Sequence, residues 1–91
     1  MIVLICENVP SALRGELTRW LIEPKAGVFV GRVSAIVRDK LWEKVCSNVR
    51  DGGSLLIHTS SNEQGFTIRQ WGDTKRWIEN FDGLQLIRIP F

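Results

Sequence analysis

The sequence has no tyrosine, one histidine and two cysteines, and these scarcities narrow its chemistry. The lone histidine, His58, sits inside the apolar run Leu55-Leu56-Ile57-His58-Thr59, where a hydrogen-bonded structural role is the expected one. Cys6 and Cys46 each lie in an apolar segment at a spacing that matches no metal motif. They read as reduced, buried thiols, with a disulfide as the alternative. Gly27 and Gly31 bracket Val28-Phe29-Val30 without the Lys-Ser/Thr ending of a phosphate loop, and no motif surrounds any serine. Conventional hydrolase, kinase and dinucleotide-binding readings are therefore weak. Long hydrophobic runs are missing too. The run Ile2-Val3-Leu4-Ile5-Cys6 is too short to cross a bilayer or to serve as a signal peptide, so no membrane role and a cytoplasmic location are expected. Excess charge of one sign is also small. A net charge of +2 does not mark a nucleic-acid binder by itself, and what matters is whether the cations share one face.

What is present describes one small domain spanning residues 1–91. A domain of this size buries only about 60–65% of its unfolded surface, so association would add to a limited core. Four tryptophans in 91 residues place some large aromatics at an interface. The run Ile2 to Cys6, rich in β-branched residues, reads as a central strand buried on both faces. Pro10 and Ser11 open a helix that carries Leu13, Leu17, Trp20 and Leu21 on one face and ends at Pro24. A short strand covers residues 27–31. Ser34 caps a second helix running to about Val49, with Val37, Leu41, Val45 and Val49 four residues apart. The run Asp51-Gly52-Gly53 ends it. Strands follow at residues 55–59 and 66–71, forming a hairpin. Residues 72–83 read as a loop. A last strand over residues 84–89 is apolar on both faces, which points to contact with another chain. Two helices on one face of a mostly antiparallel sheet make an α+β sandwich, with ferredoxin-like as the leading architecture.

Two groups of residues carry possible chemistry. Glu7 follows five apolar residues at the carboxyl end of the first strand, where a buried carboxylate needs a partner, hydrogen bonds or a metal. In a two-fold dimer, one such carboxylate from each chain approaches a shared Mg²⁺, which needs few protein ligands. The plain alternative is an exposed strand-end residue or a cap for the next helix. Lys75-Arg76, in the polar segment before Trp77, and Arg14, at the start of the first helix, suit contact with phosphates regardless of base sequence. The alternative for the pair is a solvated surface charge.

The sequence as a whole resembles the small CRISPR-associated adaptation protein, protein two of that family, in its subtype I-E form. The resemblance is carried by Glu7-Asn8-Val9-Pro10-x-x-Leu13-Arg14-Gly15 and by Trp20-Leu21 followed by Glu23-x-x-Ala26-Gly27-Val28-Phe29-Val30-Gly31. Val33-Ser34-Ala35, Arg38, Trp42-Glu43, Asn62-Glu63-x-Gly65-Phe66, Gly72 and Asp82-Gly83-Leu84 continue it in order along almost the whole chain.

That resemblance implies a ferredoxin-like fold and a homodimer with C-terminal strands in the assembly interface. It implies a role in CRISPR adaptation (spacer acquisition, part of antiviral defence), in which the dimer bridges two integrase dimers and holds duplex prespacer DNA. Integration chemistry would belong to the integrase. Arg14, Lys75 and Arg76 match basic positions that face DNA, with Arg38 and Lys25 as further candidates. Glu63 and Asp82 match carboxylates that contact the integrase, and residues 84–91, including Leu84 and Ile87, lie in that region. Glu7 stands where many relatives carry a metal-binding Asp, which makes it the candidate catalytic and metal-binding residue and Mg²⁺ a cofactor the scaffold role does not require. Ala12, Glu16 and Ile36 stand where some relatives have basic residues, which makes the DNA surface less positive or shifts it. A metal-dependent endonuclease acting on RNA or DNA through paired Glu7 carboxylates is the alternative function. A third reading is a small RNA-binding module, which reads bases with exposed sheet aromatics; only Phe66 and Trp71 offer these.

Overall fold

The computed structural model describes residues 1–49, 51–72, 77–81 and 84–88. Nine elements follow in order: β1 (Ile2–Cys6), α1 (Ser11–Leu17), β2 (Ile22–Lys25), β3 (Val28–Gly31), α2 (Ala35–Asn48), β4 (Gly53–Thr59), β5 (Phe66–Gly72), β6 (Trp77–Phe81) and β7 (Leu84–Arg88). The first seven build a five-stranded sheet of order β2-β3-β1-β4-β5, with every pair antiparallel. β6 and β7 form a separate two-stranded hairpin. This is an α+β, ferredoxin-like fold. No helix among the described residues is long and apolar enough to cross a membrane.

The pleat explains the core. Side chains alternate across a strand, and directly opposed residues share a face. Leu4 opposes Phe29 on β3 and Leu56 on β4, and all three are buried with Ile2 and Cys6 beneath Leu13, Leu17, Leu41 and Val45 of the two helices. The other face carries Val3, Ile5, Val28, Val30, Leu55, Ile57 and Ile68 in register. These residues are half-buried or exposed, and Ile5 is 36% exposed. β1 is therefore central, as expected, but among the described residues the helices cover it on one face only. Its second face belongs to an open apolar surface that this chain's helices do not reach.

The helices confirm one expectation and correct others. Ser34 caps α2, its Oγ accepting from the Val37 N–H at 3.3 Å. Leu41, Val45 and Val49 are buried at the expected four-residue spacing. The glycines at 52 and 53 do not cap this helix, which ends at Asn48 with Val49 in an extended conformation. Ser11 does not cap α1; Pro10 occupies that position without a side-chain hydrogen bond.

α1 also stops at Leu17 rather than at Pro24. The Thr18 hydroxyl donates to the Arg14 and Gly15 carbonyls at 2.8 and 3.3 Å, a local bond that competes with further helix. Residues 22–25 then form β2, and Trp20, expected on the buried helix face, is 56% exposed. Pro24 is accommodated because β2 is an edge strand.

The expected loop over residues 72–83 contains β6. Its Trp, Ile and Phe are good strand formers, and β7 supplies the partner, with Trp77 opposite Arg88 and Phe81 opposite Leu84. Five expected strands thus become seven.

Candidate nucleic-acid and partner interface

β1 delivers Glu7 to one end of the sheet, where its N–H donates to Gly53 O at 3.1 Å. The turn around it depends on backbone that few residues accept. Asn8 has φ 55°, a left-handed conformation that Asn tolerates, and its side chain donates to the Asp51 carbonyl at 3.4 Å. Gly52 has φ +83°, and a Cβ there would stand 2.7 Å from Glu7 Cβ and 2.8 Å from its Oε2. The glycine read as a helix stop is therefore the floor on which the Glu7 side chain rests.

An open cleft of about 610 Å³ lies beside it, lined by Ile5, Cys6, Glu7, Asn8, Val9, Arg14, Ala26 and Gly27. Gly27 is forced by close approach, since a Cβ would come 2.5 Å from the Cys6 carbonyl oxygen, at φ +80°. Arg14 is not a free cation. Its Nε donates to Glu23 Oε2 at 3.1 Å, and the same oxygen accepts the Gly27 N–H at 3.0 Å. The Gly27 amide holds the Glu23 carboxyl below the usual carboxylate range, and Arg14 adds to this against a desolvation penalty.

Glu23 was present in the sequence pattern without a role. The signal for one was a carboxylate four residues before a glycine in a tight β-turn.

Among the described residues, Glu7 is the single carboxylate lining this cleft. Among the described residues no group of three or more His, Cys, Asp or Glu side chains converges on a metal position. The donor set of one chain fits Mg²⁺ only if a second carboxylate comes from elsewhere.

Arg38 lies at the other end of the sheet, near β4 and β5, with its side chain 19% exposed. Its Nε donates to Asp39 Oδ1 at 3.0 Å, as does Arg69 Nη1 of β5 at 3.0 Å. Arg38 and, to a smaller degree, Arg69 hold the Asp39 carboxyl below its ordinary range. Arg69 went unremarked in the sequence because β5 brings it to Asp39 across 30 residues. His58, 8% exposed, places Nδ1 3.0 Å from the Thr59 carbonyl and 3.2 Å from Arg38 Nη1. It donates to the first in one tautomer and accepts from the second in the other. Its Nε2 is buried without a partner among the described residues.

Elsewhere Glu16 pairs with Lys44, bridging the helices; Lys44 draws the Glu16 carboxyl down. Lys25 is exposed and has no ion pair among the described residues. Ala12 is exposed, and Ile36 is 70% exposed. Cys6 and Cys46 are free, the first buried and the second half-buried, and desolvation pushes both thiols up.

Three carboxylates with depressed pKa values set a pH dependence. The folded state binds their protons less readily than the unfolded chain, so the stability they add is present above the ordinary carboxylate range. It is lost as pH falls through their folded values. The urea midpoint should hold from about pH 7 to pH 5 and drop below about pH 4, and Glu23→Gln should flatten part of that drop. An equal acid drop in the variant would remove Glu23 from the account.

The described candidate partner residues, Glu63, Leu84 and Ile87, do not line the Glu7 cleft. Glu63 is exposed in the turn before β5. Leu84 and Ile87 on β7 are 37% and 45% exposed, and Leu86 between them is 48% exposed. Lys75, Arg76 and Asp82 lie outside the described residues, as do residues 89–91. A family model described as CRISPR-associated protein (Cas_Cas2CT1978) matches residues 1–86.

Proposed function

The chain belongs to the CRISPR-associated protein family Cas_Cas2CT1978, and from that membership we propose that it acts in CRISPR adaptation as a dimeric, cytoplasmic scaffold of the subtype I-E kind. In this reading it binds duplex prespacer DNA through Arg14, Lys75 and Arg76, with Arg38 and Lys25 as secondary contacts. Glu63, Asp82 and the 84–91 segment, including Leu84 and Ile87, meet the integrase, and the integrase performs the chemistry.

The observation that carries the scaffold reading is the open apolar face of the five-stranded sheet. An antiparallel sheet face left to water is ordinarily polar. Here Val3, Ile5, Val30, Ile57 and Ile68 face away from the helices, and a contiguous apolar surface of that kind marks an association site. A second copy offers the same surface and covers it with two-fold symmetry.

Light scattering of the purified chain, alone and mixed with its cognate integrase, tests this. The wild type should run as a dimer, and the mixture should contain one such dimer between two integrase dimers. Ile57→Asp, which puts a charge at the centre of the face, should run as a folded monomer and fail to bridge. A wild-type monomer, or an Ile57→Asp dimer, would count against the scaffold.

The position of Glu7 in an open cleft beside Arg14 favours a second reading, a Mg²⁺-dependent endonuclease acting on RNA or DNA. Its metal needs the second copy's Glu7 carboxylate, so it too requires the dimer. Divalent-dependent cleavage lost in Glu7→Gln distinguishes it from the scaffold, which binds DNA equally well with Gln at this position.

A further inference from the structure

We infer that Gln64 and Gln85 form an amide clamp that positions the β6–β7 hairpin on the free edge of β5 for protein docking. This rests on the reading of that hairpin as the element that meets the integrase.

β5 is an outer strand of the five-stranded sheet, so one side of its backbone has no neighbouring strand. At Ile68 that side is filled by a side chain. The Ile68 N–H donates to Gln85 Oε1 at 2.6 Å, and Gln85 Nε2 donates to the Ile68 carbonyl at 2.9 Å. The arrangement is reciprocated. The Gln85 N–H donates to Gln64 Oε1 at 2.7 Å, and Gln64 Nε2 donates to the Gln85 carbonyl at 2.8 Å. A primary amide has both an acceptor and a donor, so each side chain reproduces the pair of bonds a strand residue would make. Two such amides fix position 85 against positions 64 and 68.

The hairpin needs such a fixing point. An isolated two-stranded hairpin is marginal in water. β6 and β7 are not joined to β5 by a ladder in the sheet topology. The hairpin leaves Leu84 and Leu86 exposed on the face of β7 opposite Gln85, with Ile87 exposed on the other face, and the exposed Glu63 directly precedes Gln64. A protein surface with an apolar centre and a basic rim fits it. An amide at position 85 in a strand otherwise apolar from 84 to 87 thus belongs to the hold on β5 rather than to the docking contacts.

The test combines hydrogen exchange with integrase affinity in the full-length chain. Gln85→Ala and Gln64→Ala should each weaken integrase binding on the order of tenfold, the scale of two lost hydrogen bonds. Because the side chains act as one unit, the double variant should bind no more weakly than about either single one. The Ile68 amide should lose protection in Gln85→Ala while the amides of Leu4 and Phe29 keep theirs, which separates positioning from general loosening. Leu86→Asp should abolish binding with Ile68 still protected. Unchanged Ile68 exchange in Gln85→Ala, or lost protection with undiminished integrase affinity, would overturn the clamp. Wild-type affinity in Leu86→Asp would instead overturn the docking role of the hairpin, and with it the proposed partner surface.

Discussion

Phe29→Ala should remove most of the stability of the fold. Phe29 has no exposed surface. It sits on β3 opposite Leu4, at the layer where the sheet meets both helices. Truncating a buried Phe costs about 3–5 kcal/mol, from the lost transfer energy and the cavity left behind. A small domain has about 5–15 kcal/mol in total, and a chain of 91 residues falls toward the low end of that range. The urea midpoint, read at one protomer concentration because a dimer's stability depends on it, should fall sharply. Ile36→Ala serves as the control: Ile36 is 70% exposed, and a change there should stay within about 0.5 kcal/mol. Similar midpoints for the two variants would show that the core is not centred on β3.

The second large effect concerns DNA. Reversing Lys75 and Arg76 to Glu should nearly abolish the gain in duplex affinity that the chain brings to the integrase. The two residues fall in sequence between the end of β5 at Gly72 and the start of β6 at Trp77. Each phosphate contact contributes about 0.9 to the slope of log affinity against log salt. Two residues in each of two copies would lower that slope by up to about 3.6. Reversal also adds repulsion from the phosphates, so the loss should be largest at low salt. Affinity should remain insensitive to base sequence, because phosphate contacts carry none. A slope unchanged by the double reversal would move the DNA surface elsewhere, with Arg14 and Lys25 the next residues to reverse.

The parts of the fold that were legible in the sequence are those where one local signal sufficed. The four-residue spacing from Val37 to Val49 and the Ser34 cap are such signals, and α2 followed from them. β1 was legible as a central strand because a continuous apolar run has few other homes. The same run also implied cover on both faces, and there a single chain supplies only half. Ile5, apolar in the sequence and 36% exposed at the open face, marks where the expectation of cover on both faces departs from the single chain.

β2 was hidden because Leu13, Leu17, Trp20 and Leu21 keep a helical period past the point where Thr18 closes the helix. The decision lay in a side-chain bond to the Arg14 carbonyl, which periodicity does not see. β6 was hidden because its strand character depends on β7 and its sequence is flanked by polar residues.

The candidate site divides in the same way. Glu7, Arg14 and Arg38 were visible as charged residues at element ends. What the structure adds is how they are held: Arg14 by Glu23, Arg38 by Asp39 and His58, and Glu7 by the absence of a side chain at Gly52. Asp39 is the neighbour of Arg38 in sequence, but Glu23, His58 and Gly52 are 9, 20 and 45 residues from the side chains they hold, and the fold brings them together. The Gln64–Gln85 pair is the extreme case, since neither residue has chemistry that draws notice until its amide is found on a strand edge.

Fluorescence anisotropy of a labelled duplex, titrated with this chain alone, its cognate integrase alone and an equimolar mixture, tests the scaffold most directly. The account predicts weak, salt-sensitive binding by the chain alone and tight binding by the mixture, beyond the sum of its parts and independent of base sequence. A mixture that binds no better than the integrase alone would contradict it.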